Sequence, residues 1–217
     1  MLFVISFFTL ICSPAFSGND PEEILSRLRK KYDKNEDISV SYTQSVVFGV
    51  TKNEQSNSGK FWMKKGNKYR IESEDQTIVT DGKSVWSYSK SNQQVFVENY
   101  KDDPKALTPE RILVNVPQQS LATILGKEKI GSRETTILKL VPKDEVSQKT
   151  THAIASNWKW IKMWVDEDEW VMRKIQVLDL SDNLTTYSID NIKLNTKLDD
   201  TYFQFEKPPD VEVIDLR

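Results

Sequence analysis

Trp158-Lys159-Trp160-Ile161-Lys162-Met163-Trp164-Val165 is the stretch that decides how this chain folds. Its even positions read Trp, Trp, Lys, Trp and its odd positions Lys, Ile, Met, Val. A strand covered on one side alternates apolar and polar residues; this one is apolar on both sides. Phe61-Trp62-Met63 repeats the pattern earlier in the chain. A sheet built from such strands needs two covers. Short helices can supply one, and coiling of the sheet toward a barrel can enclose the other face.

Outward from that stretch, further segments rich in Val, Ile, Thr and aromatics read as strands. They cover 38–50, 60–64, 68–72, 77–80, 84–89, 94–98, 135–141, 170–180, 185–194 and 203–205. Ser58-Gly59, Gly66-Asn67, Asp81-Gly82 and Ser91-Asn92 punctuate the first six, and Asp166 to Glu169 turns a later hairpin. Short connections between successive strands predict an antiparallel meander.

Two helical regions interrupt it. Asp20-Pro21-Glu22-Glu23 reads as a cap, a first-turn proline and acids at the positive end of a helix. Ile24, Leu25, Leu28 and Tyr32 follow at helical spacing. Thr108-Pro109-Glu110 looks like a second start, feeding Ile112, Leu113 and Val116. From Pro117, the spacing of Leu121, Ile124 and Leu125 predicts one more helix, closed by Gly126. The expected fold class is mainly β with short helices (α+β), one curved antiparallel sheet of about eleven strands.

Residues 1–17 carry no charge, and the apolar run from Leu2 to Cys12 has the length of a signal-peptide core. Pro14 breaks it, and Ala15-x-Ser17 places small residues before an expected cleavage after Ser17. That leaves 18–217 as a single domain. Ile11 ahead of Cys12 is not the small residue that lipid attachment requires. Removing the leader also removes the only cysteine, so no disulfide is expected.

Composition excludes several function classes. The 217 residues include 30 Lys and Arg against 32 Asp and Glu, a net charge of −2. No basic face for nucleic acid is implied. One Cys and one His exclude a zinc ribbon, a Cys–His nucleophile pair and a multi-His metal site within the chain. Neither a Gly-x-Ser-x-Gly elbow nor a His-Glu-x-x-His motif occurs. His152 lies in a polar loop over 143–157. No catalytic residue, metal or cofactor is expected. The apolar surplus leaves two readings open: an ordinary filled core, or a chamber lined by large flexible side chains that takes a lipid chain. A third makes Trp158, Trp160 and Trp164 an open platform in a glycan-binding β module.

Tyr42-Thr43-Gln44, the strand Gly59-Lys60-Phe61-Trp62-Met63-Lys64, the Asp81-Gly82-Lys83 hairpin, the Leu121 to Gly126 segment and Phe203-Gln204-Phe205 with Pro208-Pro209 follow one another in a characteristic order. In these motifs, from about residue 24 to 213, the chain resembles the LolA family of periplasmic lipoprotein carriers.

The resemblance implies an incomplete β-barrel with an α-helical lid, whose hollow holds the acyl chains of lipoproteins in the periplasm. It also implies two partners, an inner-membrane ABC-type lipoprotein-releasing complex and an outer-membrane acceptor lipoprotein, with the carrier itself a monomer. A sensor of lipoproteins, or a carrier of another lipid, would fit the same fold. The chamber wall is expected at Phe61, Met63, Tyr69, Ile71, Val85 and Trp160. The lid is expected at Leu25, Leu28, Ile112, Leu121, Ile124 and Leu125. Where the family has Arg-Pro after its Trp-x-Lys, this chain has Lys65-Gly66. Lys65 is thus the expected lid latch, without the planar fork of arginine; Arg70 and Arg111 are alternatives.

Overall fold

The computed structural model describes residues 20–101, 111–143 and 157–217. The leader, the helix start at 108–110 and His152 lie outside them. Helix α1 (Pro21–Asp33) forms where its caps dictate. The Asp20 carboxylate accepts from the Glu22 N–H at 3.1 Å, and Lys30 and Lys31 sit in the last turn. It buries Ile24, Leu25 and Leu28 on one face.

Six strands follow: β1 (Asp37–Val47), β2 (Glu54–Lys64), β3 (Lys68–Ser73), β4 (Gln76–Asp81), β5 (Ser84–Ser89) and β6 (Gln94–Asn99). A π-helical turn (Arg111–Asn115) and a single α-turn, α2 (Val116–Gln118), lead into β7 (Ser120–Ile130) and β8 (Arg133–Pro142). Then come β9 (Trp158–Asp166), β10 (Val171–Asp179), β11 (Leu184–Leu194) and β12 (Glu212–Asp215).

The described strands make one open twelve-stranded sheet, ordered β12-β6-β5-β4-β3-β2-β1-β11-β10-β9-β8-β7. Two antiparallel meanders are thus joined along the β1–β11 ladder, and the outcome is the incomplete barrel with a helical cover. Among the described strands only β12, beside β6, pairs in parallel.

Two expectations are corrected. Leu121, Ile124 and Leu125 do not lie on a lid helix; they belong to β7, which pairs with β8. A register shift between Ile124 and Gly126 disturbs the alternation, so their spacing imitates a helical period. Residues 203–205 are not a strand: a 3-10 turn (Asp200–Phe203) occupies that region, with the Asp199 carboxylate accepting from the Thr201 N–H. The last strand instead lies further on, at β12.

Two covers exist, each serving one half of the sheet; one is the expected helical one, and the other is a chain segment that was not expected. α1, Ile112 and Val116 pack on the inner face of β8–β10, against Leu138, Leu140, Ile161, Met163 and Val165. The connection from β11 to β12 crosses the outer face of β3 and β4. There Phe203 and Val79 are fully buried, Tyr202 meets Trp62 edge-on at 5.4 Å, and Phe205 packs on Tyr88.

Candidate functional site: a hollow under the first helix

Three adjoining cavities, of about 450, 330 and 140 Å³, lie against the inner face of the sheet, the first and the last bordered by α1 and the middle one by Ile112. Phe61 borders all three. The smallest runs beneath Leu28 and Ile112 to Trp170, Met172, Ile175 and Ile192. The middle one is walled by Val40, Ile71, Ile78, Ile175 and Ile189. The two larger volumes fall in the range of small-molecule sites, roughly 300–1,000 Å³.

Strand parity explains the lining. Phe61 pairs with Val40 and Ile71, and Ile71 with Ile78, so one row of side chains crosses four strands on the inner face. Gly59 lies on the same face opposite Tyr42; an added Cβ would come within 2.8 Å of the tyrosine oxygen. The missing side chain leaves Tyr42 room to lie over the strand, beside Tyr187 at 6.5 Å. At the α1 side, the Tyr32 hydroxyl donates to the Met63 sulfur at 3.7 Å.

The two ends of the hollow differ in charge. The largest cavity opens among Asp33, Glu36, Lys64, Lys65 and Lys68 at the β2–β3 turn. Its cations are matched: Lys65 pairs with Glu36 at 2.7 Å, and Asp200 takes Lys64 at 2.6 Å and Lys68 at 2.7 Å. Those lysines hold the Asp200 carboxyl down to about 2. The middle cavity opens at the opposite end, past Gln44, Asn57, Ser73 and Gln76, and no ionisable carboxylate or amine lines it. Gln44 Nε2 donates to the Tyr187 hydroxyl at 3.0 Å. Burial pushes the Tyr187 hydroxyl up from its ordinary value, as it does for Tyr69.

Of the expected wall, Phe61, Met63, Tyr69 and Ile71 line the cavities. Val85 pairs with Thr80, which pairs with Tyr69, so it shares the inner face; it lies beyond the cavity lining, toward β6. Trp160 is corrected. It stands on the outer face, with Lys162 Nζ 4.9 Å from its ring centre, while Ile161, Met163 and Val165 form the core.

Of the expected lid, Leu28 and Ile112 touch both the packed core and the hollow. Leu25 is buried in the core. Ile124 packs against it from β7, whereas Leu121 and Leu125 are exposed. Lys65 lines the largest cavity, but its ammonium holds the α1–β1 connection through Glu36 and not the helical carbonyls of 111–118. Gly66 has φ +88°, which proline cannot adopt, so this turn differs in shape from an Arg-Pro turn.

Sequence reasoning missed the walls from β1, β4, β10 and β11. Ile38 and Val40 ahead of Tyr42, and Tyr187 ahead of Ile189, alternate with polar residues, and that period of two was the available signal.

A family model described as outer membrane lipoprotein carrier protein LolA matches residues 33–206. The chain belongs to this family. It is 28% identical to an outer-membrane lipoprotein carrier protein of Haemophilus influenzae, over 88% of this chain and 87% of that one. It is 26% identical to an uncharacterized protein of Methanocaldococcus jannaschii, of whose length it spans just over half, 58%. A crystal structure of an uncharacterized conserved protein from Thermus thermophilus shares the fold, with TM-score 0.57 and 12% identity over 89% of this chain and 98% of that one.

Proposed function

We propose that this LolA-family member is a periplasmic carrier that holds the acyl chains of lipoproteins in the hollow and takes them from the inner to the outer membrane. The observation that carries the reading is the set of adjoining apolar cavities meeting at Phe61. Binding, not bond chemistry, is the task. A chain of about 15 methylenes represents roughly 12 kcal/mol of transfer free energy at about 0.8 kcal/mol each, so an unsheathed crossing of water is prohibitive. A bilayer repays a similar amount, so delivery turns on the difference between carrier and destination.

The cover sets that difference. Leu28 and Ile112 stand between the packed core and the hollow, so displacing them exposes apolar surface that a guest chain then covers again. An inner-membrane ABC-type complex would load the carrier and an outer-membrane acceptor lipoprotein would unload it. The leader expected over 1–17 accords with export.

The test is competition of a synthetic triacylated lipopeptide against an environment-sensitive hydrophobic dye. The parent protein binds both. Ile71→Trp, which fills the middle cavity, loses lipopeptide affinity at least tenfold while its melting temperature stays within a few degrees. Lipopeptide that fails to displace the dye, or an Ile71→Trp variant that binds like the parent, refutes the proposal.

A further inference from the structure

We propose that the end of the sheet formed by the β1–β2 and β10–β11 turns docks onto a lipid bilayer carrying anionic headgroups. Val50, at the tip of the first turn, is 90% exposed, and Leu180, in the second, is 55% exposed. The turns are held together: the Gly49 N–H donates to Asn183 Oδ1 at 2.9 Å. Two apolar tips thus project as one unit.

Behind them the outer face of the neighbouring strands is layered. Trp160, Leu178 and Leu184 lie side by side in register across β9, β10 and β11. Leu121, 46% exposed, stands opposite Val141 at the same end of β7 and β8. Two residues further along, about 7 Å, Lys139 sits directly opposite Lys162. Like charges in such positions repel, and among the described residues neither lysine has a carboxylate within ion-pair distance.

Of the acids at this end, one is matched by a cation and two are held by neutral hydrogen bonds that leave their charge in place. Asp179 accepts from the Ser181 and Asn183 N–H groups, Asp182 pairs with Lys159 at 2.6 Å, and Glu54 accepts from the Ser45 hydroxyl. The outer face thus runs from an apolar tip to tryptophan and then to two ammonium groups without a carboxylate partner, Lys162 resting on the Trp160 ring. A bilayer presents the matching order: hydrocarbon, interface, anionic headgroups. A protein partner would need no such layering.

The same end holds the uncharged mouth of the middle cavity, at Gln44, Asn57 and Gln76. Docking there points that mouth at the membrane. The inference is independent of which guest occupies the hollow.

The experiment uses the full chain with phosphatidylglycerol–phosphatidylcholine vesicles, vesicles of phosphatidylcholine alone, and hydrogen exchange read by mass spectrometry. Vesicles with phosphatidylglycerol protect residues 48–53 and 180–183 and leave 65–67 unchanged. Val50→Asp and Leu180→Asp, at sites too exposed to affect folding, abolish that protection. Lys139→Gln and Lys162→Gln each weaken binding to the anionic vesicles about fivefold and leave binding to the neutral ones unaltered. Protection that persists in Val50→Asp and Leu180→Asp, that falls on 65–67 instead, or that is absent altogether overturns the proposal. So does an equal loss on both vesicle types in the lysine variants.

Discussion

Strands β2–β4 line open volume with their inner face, and β2–β6 pack their outer face against the chain that follows β11. Strands β8 and β9 do the reverse: they fill their inner face with α1, Ile112 and Val116, while β10 borders both core and hollow through Ile175, and no described segment covers their outer face. The difference explains why this sequence is apolar on both sides of several strands yet does not form a two-sided solid core. Each half spends one face on cohesion. The hollow half draws its cohesion from outside, through Phe203 and Phe205, so its inner face is free to stay unfilled. The solid half anchors the cover, which needs a fixed base if it is to lift elsewhere.

The sharpest way to break this comparison is Phe203→Ala. Phe203 is fully buried on the outer face, and its loss is expected to cost about 3–5 kcal/mol in urea unfolding. A cost below about 1 kcal/mol would mean that the outer cover does not hold the hollow half.

Asp166 tests the solid half. It is buried at the β9–β10 turn, where Arg173 donates to it at 2.8 Å from a position of irregular register. Burial alone would raise its pKa, but the guanidinium and the N–H groups of Asp168 and Glu169 outweigh that and hold it below the carboxylate range. The stability it contributes is therefore present above about pH 4 and lost as pH falls below that. Asp166→Asn is expected to cost about 3 kcal/mol at neutral pH and to flatten the acid limb of a pH–stability profile. An unchanged acid limb would assign that limb to other carboxylates.

A paired substitution sharpens the contrast between filled and open. Leu140→Ala in the packed core is expected to cost about 2–5 kcal/mol. Phe61→Ala, although it removes a larger side chain, is expected to cost less, because Phe61 already borders empty space. Equal losses in the two variants by chemical denaturation would contradict the assignment of filled and hollow halves. The smallest effect belongs to Lys65→Ala: the exposed pair with Glu36 is expected to contribute under about 1 kcal/mol and to fade in high salt.

Much of this architecture was legible before any coordinates. The first helix announced itself through Asp20, Pro21 and its acids, and the turns at Gly66-Asn67 and Asp81-Gly82 through residues that adopt positive φ. The short Gly66-Asn67 turn identified the pairing of β2 and β3, parity placed Phe61 and Met63 on the inner face, and resemblance to the family's wall placed Tyr69 and Ile71 there. β7 was not legible, because the spacing of Leu121, Ile124 and Leu125 satisfies a helix, and only pairing with β8 decides otherwise. Trp160 was misplaced because both faces of β9 are apolar; the lysine sharing its parity, Lys162, marked that face as the outer one. The hollow itself has no local signature, since a wall residue and a core residue share one chemistry and differ only in what stands opposite.

A closed barrel has a circumference set by its strand number and stagger. Among the described residues this sheet ends in two free edges, at β7 and β12, and its two meanders are sewn together along the β1–β11 seam. Its girth is therefore adjustable: a change of coil at that seam widens or narrows the space within while every ladder stays intact. If the hollow takes an acyl chain, as proposed, a protein so built has no need of one preferred guest diameter.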